Sequence, residues 1–157
     1  MKSLQQIAAL YEEIDKSFED ERLKAIGDAD EPLRQRIEQK QLLSDQAYFV
    51  LCWGQLESEI DDACRATIRR RQSNSNWDMR RGFDFYDPDE RRLSGLPFDR
   101  RVAIVLDRAA GSGSPYAKVI SYYETRNKIA HGRLEAKRID VAGVVADFYV
   151  IQGAIRR

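Results

Sequence analysis

The stretch Arg126-Asn127-Lys128-Ile129-Ala130-His131-Gly132 concentrates the chemistry of this chain. His131 is the only histidine among 157 residues. Imidazole is the one side chain whose unperturbed pKa lies near neutral, so it can both give and take a proton. Arg126, five residues earlier, brings a permanent cation whose planar fork of donors fits a phosphate. Asn127 stands one helical turn before His131 and adds a neutral donor and acceptor. The set suits proton transfer and charge stabilisation at a phosphate ester, without a metal. A plainer reading needs no chemistry: a lone histidine near a helix C-terminus can cap carbonyls and meet the helix dipole.

The elements that must position these residues read as helical almost throughout. Leu4, Ile7, Ala8, Tyr11, Ile14 and Phe18 recur at three- and four-residue steps, predicting a first helix over about 3–26 that Gly27-Asp28-Ala29-Asp30 interrupts. Asp30 then caps a long second helix with Pro32 in its first turn, running to about Arg71. Phe49, Trp53, Leu56, Ile60, Ala63, Thr67 and Ile68 form its apolar stripe. A second row, Ala47, Val50, Leu51 and Gly54, widens it, which places the helix centrally and predicts close approach of another helix at Gly54. Residues 72–97 are rich in Ser, Asn, Asp, Gly and Pro and predict a long loop insertion with a short helix at Asp87 to Leu93. Trp77, Phe83, Phe85 and Tyr86 either pin that loop to the body or stack on bases, pinning being the simpler expectation.

A third helix is expected from Pro97-Phe98-Asp99 to about Ala110, burying Val102, Ile104, Val105 and Leu106. Ser114 caps a fourth with Pro115 at its first position and Gly132 as its C-terminal stop. A connector over Arg133 to Ile139 leads to a last helix capped by Asp140. The stripe Tyr116, Val119, Ile120, Tyr123 on the fourth helix continues into Asn127 and the neighbourhood of His131, so polar groups replace apolar ones at that helix end. The expected fold class is all-α: four main helices plus an N-terminal one, in a single domain over 1–157 with residues 1–30 as N-terminal helix and linker. Phe49, Trp53, Leu56, Ile60, Val119, Tyr123 and Phe148 should lie in the core.

Composition sets the outer limits. Charged residues are 33% and hydrophobic ones 43%, a globular balance. The formal net charge is zero, so any affinity for nucleic acid must come from a local patch or one made by dimerisation. Arginine runs such as Arg69-Arg70-Arg71 and Arg80-Arg81 serve either as solvated surface charge or as phosphate contacts. Cys52 and Cys64 on one helix stand about 18 Å apart by the helical rise, too far for a disulfide. Neither they nor the carboxylates show metal-site spacing, so neither metal nor cofactor is expected. The N-terminal residues lack the apolar core of a signal peptide and no run is long enough to span a bilayer. The expectation is a soluble, cytoplasmic protein with no membrane partner.

Arg126-Asn127-Lys128-Ile129-Ala130-His131 resembles the Arg-x4-6-His signature of the HEPN superfamily, in the Arg-Asn-x-x-x-His form of prokaryotic HEPN ribonucleases. The long helix carrying Phe49-Val50-Leu51-Cys52-Trp53-Gly54-Gln55-Leu56-Glu57 is similar to the aromatic-rich helix of many HEPN proteins, and the resemblance extends from about residue 40 onward. It implies an up-and-down helical bundle and a metal-independent endoribonuclease whose composite cleft forms in a homodimer. It further implies RNA as substrate, cut through its 2′-OH, and a toxin–antitoxin or phage-defence setting with an antitoxin protein as a possible partner. By the resemblance, His131 is the acid–base group, Arg126 holds the scissile phosphate, and Asn127 orients the phosphate or the ring. Lys128 and Arg133 add substrate-binding cations, and Glu57 is a further candidate that could pair with Arg126 or equally be a surface helix charge. One HEPN subgroup continues Arg-x4-His-x-Tyr, its tyrosine being modified by a partner nucleotidyltransferase; here Arg133 holds that place. The alternatives are a non-catalytic HEPN module binding RNA, nucleotide or a partner protein, and an unrelated helical interaction protein.

Overall fold

The computed structural model describes residues 2–89, 93 and 95–156. Its elements are α1 (Lys2–Gly27), α2 (Glu31–Gln72), α3 (Trp77–Arg80), α4 (Phe98–Val105), α5 (Pro115–Ala130) and α6 (Val141–Ile155), with no strand among the described residues. No helix is long and apolar enough to cross a membrane among the described residues. Two compact units result, Met1–Gln55 with Glu124–Phe148 and Leu56–Tyr123 with Tyr149–Arg157, the division falling within α2, α5 and α6.

The helix starts follow from local hydrogen-bonding chemistry. Asp30 Oδ1 accepts from the Leu33 N–H at 3.0 Å, Ser114 Oγ from the Ala117 N–H at 3.2 Å, and Asp140 Oδ1 from the Gly143 N–H at 2.9 Å. Each satisfies a backbone donor that the first turn leaves over. A Cβ on Gly143 would lie 2.4 Å from Asp140 Oδ2, so the glycine makes room for its cap. The helix ends are equally local. α1 and α5 both finish with the 6→1 and 5→2 bond pair that closes a helix through one left-handed residue. In α1 the bonds are Asp30 N–H to Ala25 O and Ala29 N–H to Ile26 O, and the left-handed residue is Ala29 at φ 54 rather than Gly27. In α5 they are Arg133 N–H to Lys128 O and Gly132 N–H to Ile129 O, and the left-handed residue is Gly132 at φ 76.

In the first unit Leu4, Ile37, Phe49, Trp53 and Phe148 are fully or almost fully buried. Trp53 meets Phe148 edge to face at 6.3 Å. Burying a large aromatic or aliphatic side chain of this kind stabilises by about 1.5–3 kcal/mol. In the second unit Leu56, Ile60, Ile68, Val102 and Val119 are buried. Tyr123, expected in the core, is only half-buried and stacks on Phe98 with centroids 4.5 Å apart. Cys52 and Cys64 are buried and unbridged, and burial pushes both thiols up to about 11.

Three further expectations require correction. The third helix stops at Val105, not Ala110, because Leu106 turns extended and the Asp107 carboxylate captures the Ala109 N–H at 2.8 Å, a turn that competes with helical bonding. The second apolar row of α2 is not buried: Ala47, Leu51 and Gly54 are exposed, and a Cβ on Gly54 would meet nothing within 4 Å. In the loop, Phe83 and Tyr86 do pack, against Cys64, Ile68, Leu93 and Leu96, but Trp77 is 57% and Phe85 88% exposed, so neither pins anything. The expected short helix at Asp87 to Leu93 lies partly outside the described residues, at 90–92. The loop's own helical turn is α3, capped by Asn76.

Candidate active site

α5 carries the candidate residues down its length and delivers them at its end. Its i→i−4 ladder closes with the His131 N–H on Asn127 O at 3.1 Å, after which Gly132 turns the chain away. His131 is thus the last residue gripped by the helix, and its side chain is exposed. A pocket of about 330 Å³ opens there, lined by Glu124, Asn127, Lys128, His131 and Arg133. Four of the six residues singled out in the sequence, Asn127, Lys128, His131 and Arg133, are therefore brought together. The lining includes neither Arg126 nor Glu57, which is half-buried on α2.

Helical geometry explains the division. At 100° per residue, positions four, three and seven before His131 fall within about 60° of it, whereas Arg126, five before, falls about 140° away. Arg126 is half-buried and swings toward its neighbour: its Nη1 donates to Asn127 Oδ1 at 3.0 Å. That bond fixes which end of the Asn127 amide is the oxygen. It also ties the guanidinium to a residue that itself lines the pocket.

No family model, curated protein or solved structure matches the chain.

The pocket gathers two cations, one imidazole and one carboxylate. Lys128 Nζ stands 3.9 Å from Glu135 Oε1, an exposed pair that contributes little energy but keeps the ammonium beside the connector. Glu124 is the residue that sequence reasoning missed. Its signal was available, since it stands two turns before His131 on the same face, in register with Asn127 and Lys128. A carboxylate there can accept from an imidazolium or compete with a phosphate for the same cations. Among the described residues, no group of three or more His, Cys, Asp or Glu side chains is gathered as metal ligands. The arrangement can bind an anion and move a proton beside it.

Proposed function

We propose that this chain is a metal-independent endoribonuclease of HEPN type, cytoplasmic, acting as the toxin of a toxin–antitoxin or phage-defence system. The observation that carries the reading is that Asn127, Lys128, His131 and Arg133 line one pocket, with Arg126 bonded to Asn127 at its edge. In the reaction His131 takes the proton of a ribose 2′-OH, O2′ attacks phosphorus, and the 5′-oxygen leaves with a proton, giving a 2′,3′-cyclic phosphate. Arg126 neutralises the charge that builds on the non-bridging oxygens. DNA has no 2′-OH and is inert.

Such a reaction uses one base and one acid, and each copy of the chain has a single histidine. A two-fold homodimer supplies two, and it also offers each His131 the Arg126 of the other copy, which its own helix turns away. One observation favours the rival reading, a non-catalytic module binding RNA, nucleotide or a partner protein: within one chain Arg126 is engaged by Asn127 and lies outside the pocket lining.

The test is incubation of purified protein with labelled RNA, with and without EDTA. Cleavage should survive EDTA and leave cyclic phosphate ends. It should fall about 10²–10⁴-fold in His131→Ala. In Arg126→Ala the transition state should lose about 2.7–4 kcal/mol. Arg126→Lys should rescue only in part, since a point charge lacks the guanidinium fork. RNA cut equally fast by His131→Ala, or not at all by folded wild type freed of any antitoxin, sinks the catalytic reading.

A further inference from the structure

The buried polar residues of the described chain are Gln41, Asp45 and Gln46, all within two turns of α2. Polar groups are buried only where a partner repays their lost hydration. The partners of two of them lie on the connector that leaves the pocket. The Gln46 amide makes a reciprocal pair with the backbone of Glu135: Nε2 donates to Glu135 O at 3.2 Å, and Oε1 accepts from the Glu135 N–H at 3.1 Å. Three residues on, Arg138 Nε donates to Asp45 Oδ2 at 2.7 Å and Nη2 to Asp45 Oδ1 at 2.9 Å. The same guanidinium reaches Asp15 Oδ1 at 2.5 Å, and the Tyr11 hydroxyl donates to Asp45 Oδ1 at 2.9 Å.

Arg133 sits between two such anchors. Its N–H is held by Lys128 O at 2.8 Å, and two residues later both backbone groups of Glu135 are held by Gln46. The backbone on either side of the pocket-lining arginine is therefore immobilised from α5 and from α2. We infer that Gln46 is a positioning residue: it holds the connector so that Arg133 presents its guanidinium to a phosphate in the His131 pocket. The inference rests on the proposed reading in taking that phosphate to belong to RNA. The positioning itself requires only that the pocket bind a phosphate. Ordering Arg133 in advance removes a conformational cost that binding would otherwise carry.

Because His131 is the only histidine, its ring gives one imidazole resonance set, a single probe of the pocket. Inorganic phosphate titrated into wild type should shift that resonance with saturation. Gln46→Ala, folded by circular dichroism, should weaken phosphate roughly tenfold, the size expected for loss of one buried hydrogen-bonded amide. Gln46→Met, which keeps the volume of the side chain and loses both hydrogen bonds without burying a charge, should show a loss in the same direction and serves if the alanine variant does not fold. Arg133→Ala should weaken phosphate by itself, and adding Gln46→Ala to it should change little more. Gln72→Ala, which removes an amide anchor of the 72–97 loop, should leave phosphate binding unchanged. A wild-type resonance unmoved by phosphate, unchanged binding in both Gln46 variants, or losses that add fully in the double variant would each overturn the inference. Coupling between Gln46 and Arg133 in a protein that cuts no RNA would retire the ribonuclease reading and leave the positioning intact.

Discussion

Gln46 and Gln72 do similar work at two places on α2, in different surroundings. Gln46 is 1% exposed and matches one donor and one acceptor to the backbone of a single residue, Glu135. Gln72 is half-buried, and its Nε2 donates to two carbonyls, Phe83 O at 2.9 Å and Tyr86 O at 2.7 Å. Around Gln46 the connector is held by further directional contacts centred on the buried Asp45 carboxylate. Around Gln72 the loop is held by apolar packing of Phe83 and Tyr86, by Arg65 Nη1 on Pro88 O at 2.9 Å, and by the exposed pair Arg69–Asp89. Apolar packing is tolerant of small shifts, whereas a buried hydrogen bond is lost with its geometry. The segment beside the candidate site is thus specified in direction, and the loop only in approximate place.

The largest expected effect is at Arg138. Removing it in Arg138→Ala leaves the fully buried Asp45 carboxylate with the Tyr11 hydroxyl as the donor left in this network. The arginine side chain is 44% exposed, so water can reach the gap, and the loss should fall at the low end of the buried-pair range, about 3 kcal/mol. Urea denaturation measures it, and a loss below about 1 kcal/mol would erase the contrast with the loop.

Next come the two glutamines. Gln46→Ala leaves two backbone groups of Glu135 without their partner and should cost about 2 kcal/mol, whereas Gln72→Ala, at a wetter site, should cost about 1 kcal/mol. Equal losses in the same urea experiment would mean that the difference in burial decides nothing.

A pH experiment separates the network around Asp45 from the rest of the chain. Burial first, then the hydrogen bond to Asp45, push the Tyr11 phenol well above its ordinary range. The folded state holds that proton more tightly than the unfolded chain does. The resulting stability is full below the unfolded pKa of about 10 and is lost as pH rises beyond it. Denaturation midpoints should fall more steeply above about pH 10 for wild type than for Tyr11→Phe, which has no phenolic proton to lose. Parallel curves would show that Tyr11 does not couple to the Asp45 network.

The smallest effect belongs to the loop surface. Phe85 is 88% exposed, so Phe85→Ser should change stability by no more than about 0.5 kcal/mol. A larger loss would show that the ring is packed in solution and would move the loop closer to the connector in character.

Much of the helical framework could be read residue by residue. The caps at Asp30, Ser114 and Asp140 and the left-handed turn at Gly132 were legible because each is settled by residues within a few positions of one another. The early end of α4 was hidden because apolar spacing continues through Leu106 while one carboxylate, Asp107, redirects the backbone. The exposure of Ala47, Leu51 and Gly54 was hidden because periodicity reports which residues share a face, not whether anything covers it. Within the site, the shared face of Asn127 and His131 followed from spacing, and that of Glu124 could have.

By itself, then, the sequence determined the capped starts of α2, α5 and α6, the stop at Gly132 and the shared face of Asn127 and His131 at the end of α5. Helical hydrogen bonds reach four residues and caps reach three, so nearest neighbours along the chain are enough. Only the tertiary structure decided that Gln46 and Asp45 hold the connector that carries Arg133. Those contacts span 89 and 93 residues. A polar residue on a buried helix face looks like an error in the apolar pattern until the fold brings it the one backbone or guanidinium that satisfies it.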